Sequence, residues 1–135
     1  MKGSYVLLIE NKKDSKIIIG SLGSIFFKKG LYAYVGSAMN GLETRVARHL
    51  RKNKKIFWHI DYFLRSKNVK ILDVYYKESP IKEECEIAKK ISKCGTPVKG
   101  FGCSDCKCGS HLFRIQPTNL GLLESKRGKG KGLKG

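Results

Sequence analysis

The chain has 135 residues, with 28 Lys+Arg against 11 Asp+Glu and a formal net charge of +17 at pH 7. At this length folding hides roughly two-thirds of the extended surface, so 41% hydrophobic residues supply one real core and disorder throughout is excluded. The longest apolar runs fall far short of the ~18 residues of a membrane span, no cleavable apolar leader is visible, and five Cys is an odd number; a reduced, cytoplasmic protein without a disulfide framework is expected.

Residues 4–10 and 31–37 are rich in β-branched and aromatic side chains and read as strands. Between them, KIIIG and SIFFK flank Gly20-Ser21-Leu22-Gly23, a β-hairpin whose glycines supply the positive φ of a tight reversal. From Asn40-Gly41 the period changes: Leu42, Val46 and Leu50 recur every four residues, the apolar stripe of a helix whose basic face looks outward. A second helix is expected at 58–67, a strand at 69–76, and, after the turn at Pro80, a third helix at 81–93, acidic first and basic last as the helix dipole favours. A Gly/Cys-rich loop over 94–110 and a short edge strand at 111–115 follow. The expected fold is α/β of the α+β kind: a small, mostly antiparallel sheet of about three central strands plus an inserted hairpin, flanked by helices. One domain spans 1–117, and 118–135 reads as a basic, disordered tail.

The stretch from Tyr34 to His49, YVGSAMNGLETRVARH, ends a strand in Tyr-Val-Gly and places Arg45 and His49 one helical turn apart on one face. Upstream, Gly3-Ser4-Tyr5 opens the first strand, and E-C-E-I in the third helix contains Glu84. In this order the residues resemble the GIY-YIG nuclease superfamily, and over about residues 2–116, through RVARHL, WHIDY and GFGCSDCKCGSHLF, its DUF123 or Uri-type endonuclease branch. The resemblance implies that Tyr34 takes a proton from the attacking water, with Tyr5 and His49 in its hydrogen-bond shell. It implies further that Arg45 faces the scissile phosphate and that Glu84 holds one Mg²⁺ or Mn²⁺, with Gly36 and Ser37 as accessory positions. For Tyr34 to act as a base, a nearby cation must favour its phenolate; Arg45 is the expected source. Without the resemblance, Tyr5 and Tyr34 read as core packing, Arg45 and His49 as a helix face, and Glu84 as a dipole-favoured carboxylate, with Glu83 or Glu86 as alternative ligands.

The chain departs from the superfamily pattern in four places. Tyr5 and Tyr34 have 28 residues between them, which the hairpin accounts for as an insertion between adjacent strands. Ser4 stands where the first tripeptide has an apolar residue, a change that is harmless if its side chain points to solvent. Ser37 stands where many members carry Lys, so a phosphate-facing cation is missing unless Arg48 or a tail lysine replaces it; the late Asn of the pattern has Ser110-His111 in its place.

Cys103-x2-Cys106-x-Cys108-x2-His111 has the composition of a tetrahedral Zn²⁺ site but not a standard spacing, and small buried thiols are the preferred reading. His59 and Asp61 either orient the catalytic groups or satisfy buried hydrogen bonds. Arg45, Arg48, Arg51, Lys52, Lys54 and Lys55 make six cations in eleven residues without an acid, a stretch suited to phosphate contacts with DNA, RNA being open as well and a membrane not expected. Phe57, Trp58 and Phe63 lie close by, with core packing preferred to base stacking. The lead expectation is a metal-dependent, structure-preferring DNA endonuclease related to repair. The alternatives are a non-catalytic nucleic-acid-binding module on the same scaffold and a zinc-stabilised interaction protein.

Overall fold

The computed structural model describes residues 2–51, 54–102 and 109–117. In chain order they form β1 (Gly3–Asn11), β2 (Ser15–Ile18), a 3-10 turn (Gly20–Leu22), β3 (Ser24–Phe27), β4 (Gly30–Ala38), α1 (Leu42–Leu50), α2 (His59–Leu64), β5 (Val69–Glu78), α3 (Glu84–Ser92), β6 (Thr96–Pro97) and β7 (Leu112–Ile115). Five strands make one sheet in the order β5-β1-β4-β7-β6, each pair antiparallel, and β2 and β3 form a separate ribbon. The fold is α+β with three helices. The sheet is larger than the three central strands expected, because Thr96-Pro97 pairs on the outer side of β7 and makes it an interior strand. A two-residue strand inside a Gly/Cys-rich stretch leaves no periodic signal, and Pro97, lacking an N–H, suits the edge it occupies.

β1 and β4 are buried along almost their whole length, since both faces of the sheet are covered. On one face Tyr5, Leu7, Ile9, Tyr32 and Tyr34 pack against Leu42 and Val46 of α1, Ile60 and Phe63 of α2, and Ile19 and Phe27 of the ribbon. On the other, Val6, Leu8, Ala33 and Val35 meet Ile87, Ala88 and Ile91 of α3. Burying each such aliphatic side chain contributes roughly 1.5–3 kcal/mol, so the two layers hold the central strands rigid beneath the site. The ribbon is joined by a 3-10 turn in which Gly20 and Gly23 take positive φ.

Two local expectations are corrected, and the condition set on Ser4 is not met. Leu50 is 46% exposed, and His49 takes the core-facing place beside Leu42 and Val46. At about 100° per residue, seven residues from Leu42 return to within about 20° of its direction, whereas eight overshoot by about 80°. α3 starts at Glu84 rather than 81, because the Ser79 hydroxyl accepts the Ile81 N–H and holds a turn after β5. Ser4 does not point to solvent: it is buried beneath α3's side of the sheet, and its hydroxyl has no hydrogen-bond partner.

Candidate active site

The register of the two central strands creates the site. Tyr5 lies opposite Gly36 and Tyr34 opposite Leu7, so both tyrosines rise from the same face with ring centroids 6.4 Å apart. Gly36 is required there: a Cβ would overlap the Tyr5 hydroxyl and ring, which lie across the glycine. Around them opens a cleft of about 370 Å³ whose walls include Tyr5, Tyr34, Ser37, Arg45, Trp58, His59, Glu84 and His111. The Tyr-Val-Gly, helix and third-helix residues singled out in the sequence thus converge, and of the three acids starting α3 only Glu84 lines the cleft. Glu83 instead pairs with Lys77, Nζ to Oε1 3.2 Å, and Glu86 faces an apolar groove elsewhere.

His49 is buried beneath Tyr5, its Nε2 2.7 Å from the Tyr5 hydroxyl. Burial lowers its pKa to about 3, helped by Lys54, Arg45 and Arg48 against the opposing field of Asp61, so the ring is neutral at physiological pH. Its Nδ1 has no partner. A buried N–H without an acceptor costs more than a lone pair without a donor, so the single proton belongs on Nε2, donating to Tyr5 Oη. The hydroxyl proton of Tyr5 is then left for the cleft.

Both phenols are held neutral. Burial pushes Tyr34 well above the usual value, reinforced by Tyr5 and Glu84 and opposed by Arg45; burial does the same to Tyr5, against Arg45. The expectation that Arg45 draws Tyr34 toward phenolate is thus met in direction but not in outcome. Desolvation is the larger effect. Arg45 itself is fixed by donating Nη1 to the Ser37 carbonyl at 3.1 Å and by lying 4.5 Å above the Trp58 ring.

Arg48 and Asp61 form a structural clamp. Arg48 donates to both Asp61 oxygens, at 2.9 and 3.0 Å, and to the Lys55 carbonyl at 2.7 Å, while Asp61 Oδ2 accepts the backbone N–H groups of Phe57 and Trp58, both at 2.9 Å. Burial tends to raise the Asp61 pKa, but these bonds outweigh it and the carboxyl stays below the usual range. Of the alternatives read for Asp61, satisfaction of buried groups is the one present. Arg48, with its fork on Asp61, does not stand in for the missing lysine after Tyr-Val-Gly.

Lys82, which also lines the cleft, offers a different cation. It went unnoticed in the sequence because it falls in the first turn of the helix expected at 81–93, where a lysine reads as solvated surface. Lys54 donates to the His49 and Arg51 carbonyls, at 3.0 and 2.7 Å, and ends α1; Arg51 and Lys55 are exposed, and Lys52 lies outside the described residues. His59 accepts the Gly102 N–H on Nδ1 at 2.9 Å, and its pKa is lowered by burial. Ser110 is occupied by Leu112, so His111 alone of that pair reaches the cleft. The His111 ring sits between Glu84, Nδ1 to Oε2 3.9 Å, and Cys85, Nε2 to Sγ 3.9 Å. Its pKa is lowered by burial against the pull of Glu84.

For a divalent cation the cleft offers the Glu84 carboxylate with His111 beside it; among the described residues no cluster of three or more His, Cys, Asp or Glu could hold a metal. Such a donor set fits Mg²⁺ or Mn²⁺, which keep waters and take further oxygens from a phosphate, and does not fit a closed all-protein cage. Cys103, Cys106 and Cys108 lie outside the described residues, and with them both readings of that loop, the preferred one of small buried thiols and the Zn²⁺ alternative. No described helix is long and apolar enough to cross a membrane.

A family model described as "Domain of unknown function DUF123" matches residues 4–127. No curated protein and no solved structure matches the chain.

Proposed function

The chain belongs to the DUF123 family, and from its cleft we propose that it is a phosphodiester hydrolase acting on nucleic acid, a metal-dependent endonuclease of the GIY-YIG kind. The observation that carries the proposal is the convergence of Tyr5, Tyr34, Arg45 and Glu84, from β1, β4, α1 and α3, on one polar cleft in a protein of charge +17. Hydrolysis needs a placed water, neutralisation of the crowded phosphate, and help for the leaving oxygen.

Arg45 and Lys82 supply cations toward the phosphate, Arg45 in fixed geometry. Glu84 would hold Mg²⁺ or Mn²⁺, which when bound supplies Lewis acidity toward a non-bridging oxygen and the leaving group. Tyr34 accepts the hydrogen bond of the attacking water. As a neutral phenol, the state that burial, Tyr5, Glu84 and Asp61 favour over the field of Arg45, it takes the water's proton only while passing its own to a phosphate oxygen, so that no free phenolate is formed. Tyr5, its oxygen fixed by His49 Nε2–H, donates its own proton into the cleft. The neutral Tyr34 is also the observation that favours the second reading, a binding module that retains the scaffold and the charge.

The two separate in one experiment. Incubation with single-stranded, duplex, flap and junction DNA in Mg²⁺ or Mn²⁺ is expected to give metal-dependent cuts, reduced at least about tenfold in Arg45→Ala and Glu84→Gln, in the range by which single electrostatic groups contribute to catalysis. Cuts indifferent to both substitutions would refute the assignment. Binding without cuts would favour the module.

A further inference from the structure

Phe57 and Trp58 are not core residues. Phe57 is 72% exposed and Trp58 37%, and both form part of the wall of the cleft that holds Tyr34 and Arg45, whereas Phe63 alone of that aromatic group is fully buried. The pair is built to stay in place: Asp61 binds both of their backbone N–H groups, Arg48 clamps Asp61, and the Arg45 and Arg48 guanidinium groups lie 4.5 and 4.4 Å from the Trp58 ring centroid. The two rings are 6.4 Å apart and inclined at 46°, Arg48 lies 5.8 Å from the Phe57 centroid as well, and Phe57 is still 72% exposed. An exposed aromatic fixed by backbone bonds next to Arg45, the guanidinium that lines the cleft, is an arrangement on which a nucleobase stacks.

We propose that Phe57, supported by Trp58, is a stacking subsite for one unpaired nucleobase next to the scissile phosphate, so that the substrate class is single-stranded or frayed nucleic acid and not intact duplex. The inference rests on the hydrolase reading for the phosphate it adjoins. In a duplex both faces of each base are already stacked, and presenting one to Phe57 requires unstacking it. Charge alone argues the other way: duplex carries the denser line of phosphates, so a purely electrostatic surface would prefer it. A preference for single strands therefore reports the aromatic platform.

Trp58 is the single tryptophan of the chain and reports on the subsite directly. The full chain, without divalent cation, is titrated at one low salt concentration with a short single-stranded oligonucleotide and with the blunt duplex of the same sequence. The expected result is quenching of Trp58 fluorescence and tighter binding for the single strand. Phe57→Leu, which keeps the apolar volume but removes the π face at an exposed position, is expected to weaken single-strand binding about tenfold and leave duplex binding unchanged. Equal affinity for both forms, or a Phe57→Leu effect that is absent or the same on both, would overturn the subsite. Cleavage is scored separately with Mg²⁺ added. Duplex cut as well as single strand, with Phe57→Leu cutting both like the wild type, overturns stacking and leaves hydrolysis standing; single-strand binding lost in Phe57→Leu with no cutting by the wild type overturns hydrolysis and leaves stacking standing; and no binding of either oligonucleotide overturns both.

Discussion

Acidification should weaken this protein through one residue more than any other. His49 is buried under Tyr5 with its pKa lowered to about 3, against 6.5 for the free side chain. Because the folded value is the depressed one, the unfolded chain binds the proton first. The stability that neutral His49 contributes is fully present above 6.5 and is lost as pH falls from there toward the folded value. Between pH 7 and pH 5 the loss amounts to about 2 kcal/mol, and it changes little if the folded value lies a unit higher, since pH 5 is still above it. Asp61, also with a depressed pKa, loses its share only at lower pH, where the carboxylate of the unfolded chain begins to protonate. Urea unfolding followed at a series of pH values measures the slope. His49→Gln can keep a donor to Tyr5 but cannot titrate, so subtracting its pH profile from that of the wild type removes the contributions of His59 and His111. A difference below about 0.5 kcal/mol between pH 7 and 5 would mean that His49 is not buried neutral, and the tautomer argument for Tyr5 would fall with it.

Three further outcomes are expected. Asp61→Ala leaves Arg48 unpaired and two N–H groups without an acceptor, and should cost about 3 kcal/mol in urea unfolding; a loss under about 1 kcal/mol would show that the clamp is not holding α1 to the start of α2. Gly36→Ala drives a methyl group into the Tyr5 ring, with an expected loss of about 1–3 kcal/mol and an impaired cleft, and an unchanged melting temperature would contradict the register of the two tyrosines. Exposed Arg51 should lower the slope of log binding constant against log salt by about 0.7 to 0.9 when changed to Gln, while Lys54→Gln should lower it less, because that ammonium keeps its charge but is held on two carbonyls at the end of α1 instead of reaching out to a phosphate. The reverse pattern would exchange their roles.

Much of the architecture was readable in advance because it rests on periodicity: the alternating and continuous apolar runs of β1, β4 and β5, the four-residue spacing of α1, and the glycines of the ribbon all carry local signals. What escaped was set by tertiary context. β6 is two residues long, and the facing direction of His49 depends on a seven-residue rather than an eight-residue return to the core. The direction of Ser4 was open, because its burial under α3 has no local signature. Tyr34, Arg45 and Glu84 were identifiable only as an ordered set, since each taken singly reads as ordinary packing or surface. The commitment of Arg48 to Asp61, thirteen residues away, and the reach of Lys82 into the cleft are pairings made by folding. So is the neutral state of Tyr34, where the sequence suggests a neighbouring cation but not that desolvation exceeds it.

The most direct test is a single-turnover comparison of wild type and Tyr34→Phe on a labelled single-stranded DNA in Mg²⁺, with binding followed in parallel by Trp58 fluorescence. Tyr34→Phe removes one hydroxyl from a buried ring and leaves the cations and Glu84 in place. Loss of cutting by about a hundredfold or more with affinity unchanged is the result expected if Tyr34 handles the proton of the attacking water. Cutting at the wild-type rate would place the chemistry outside this cleft.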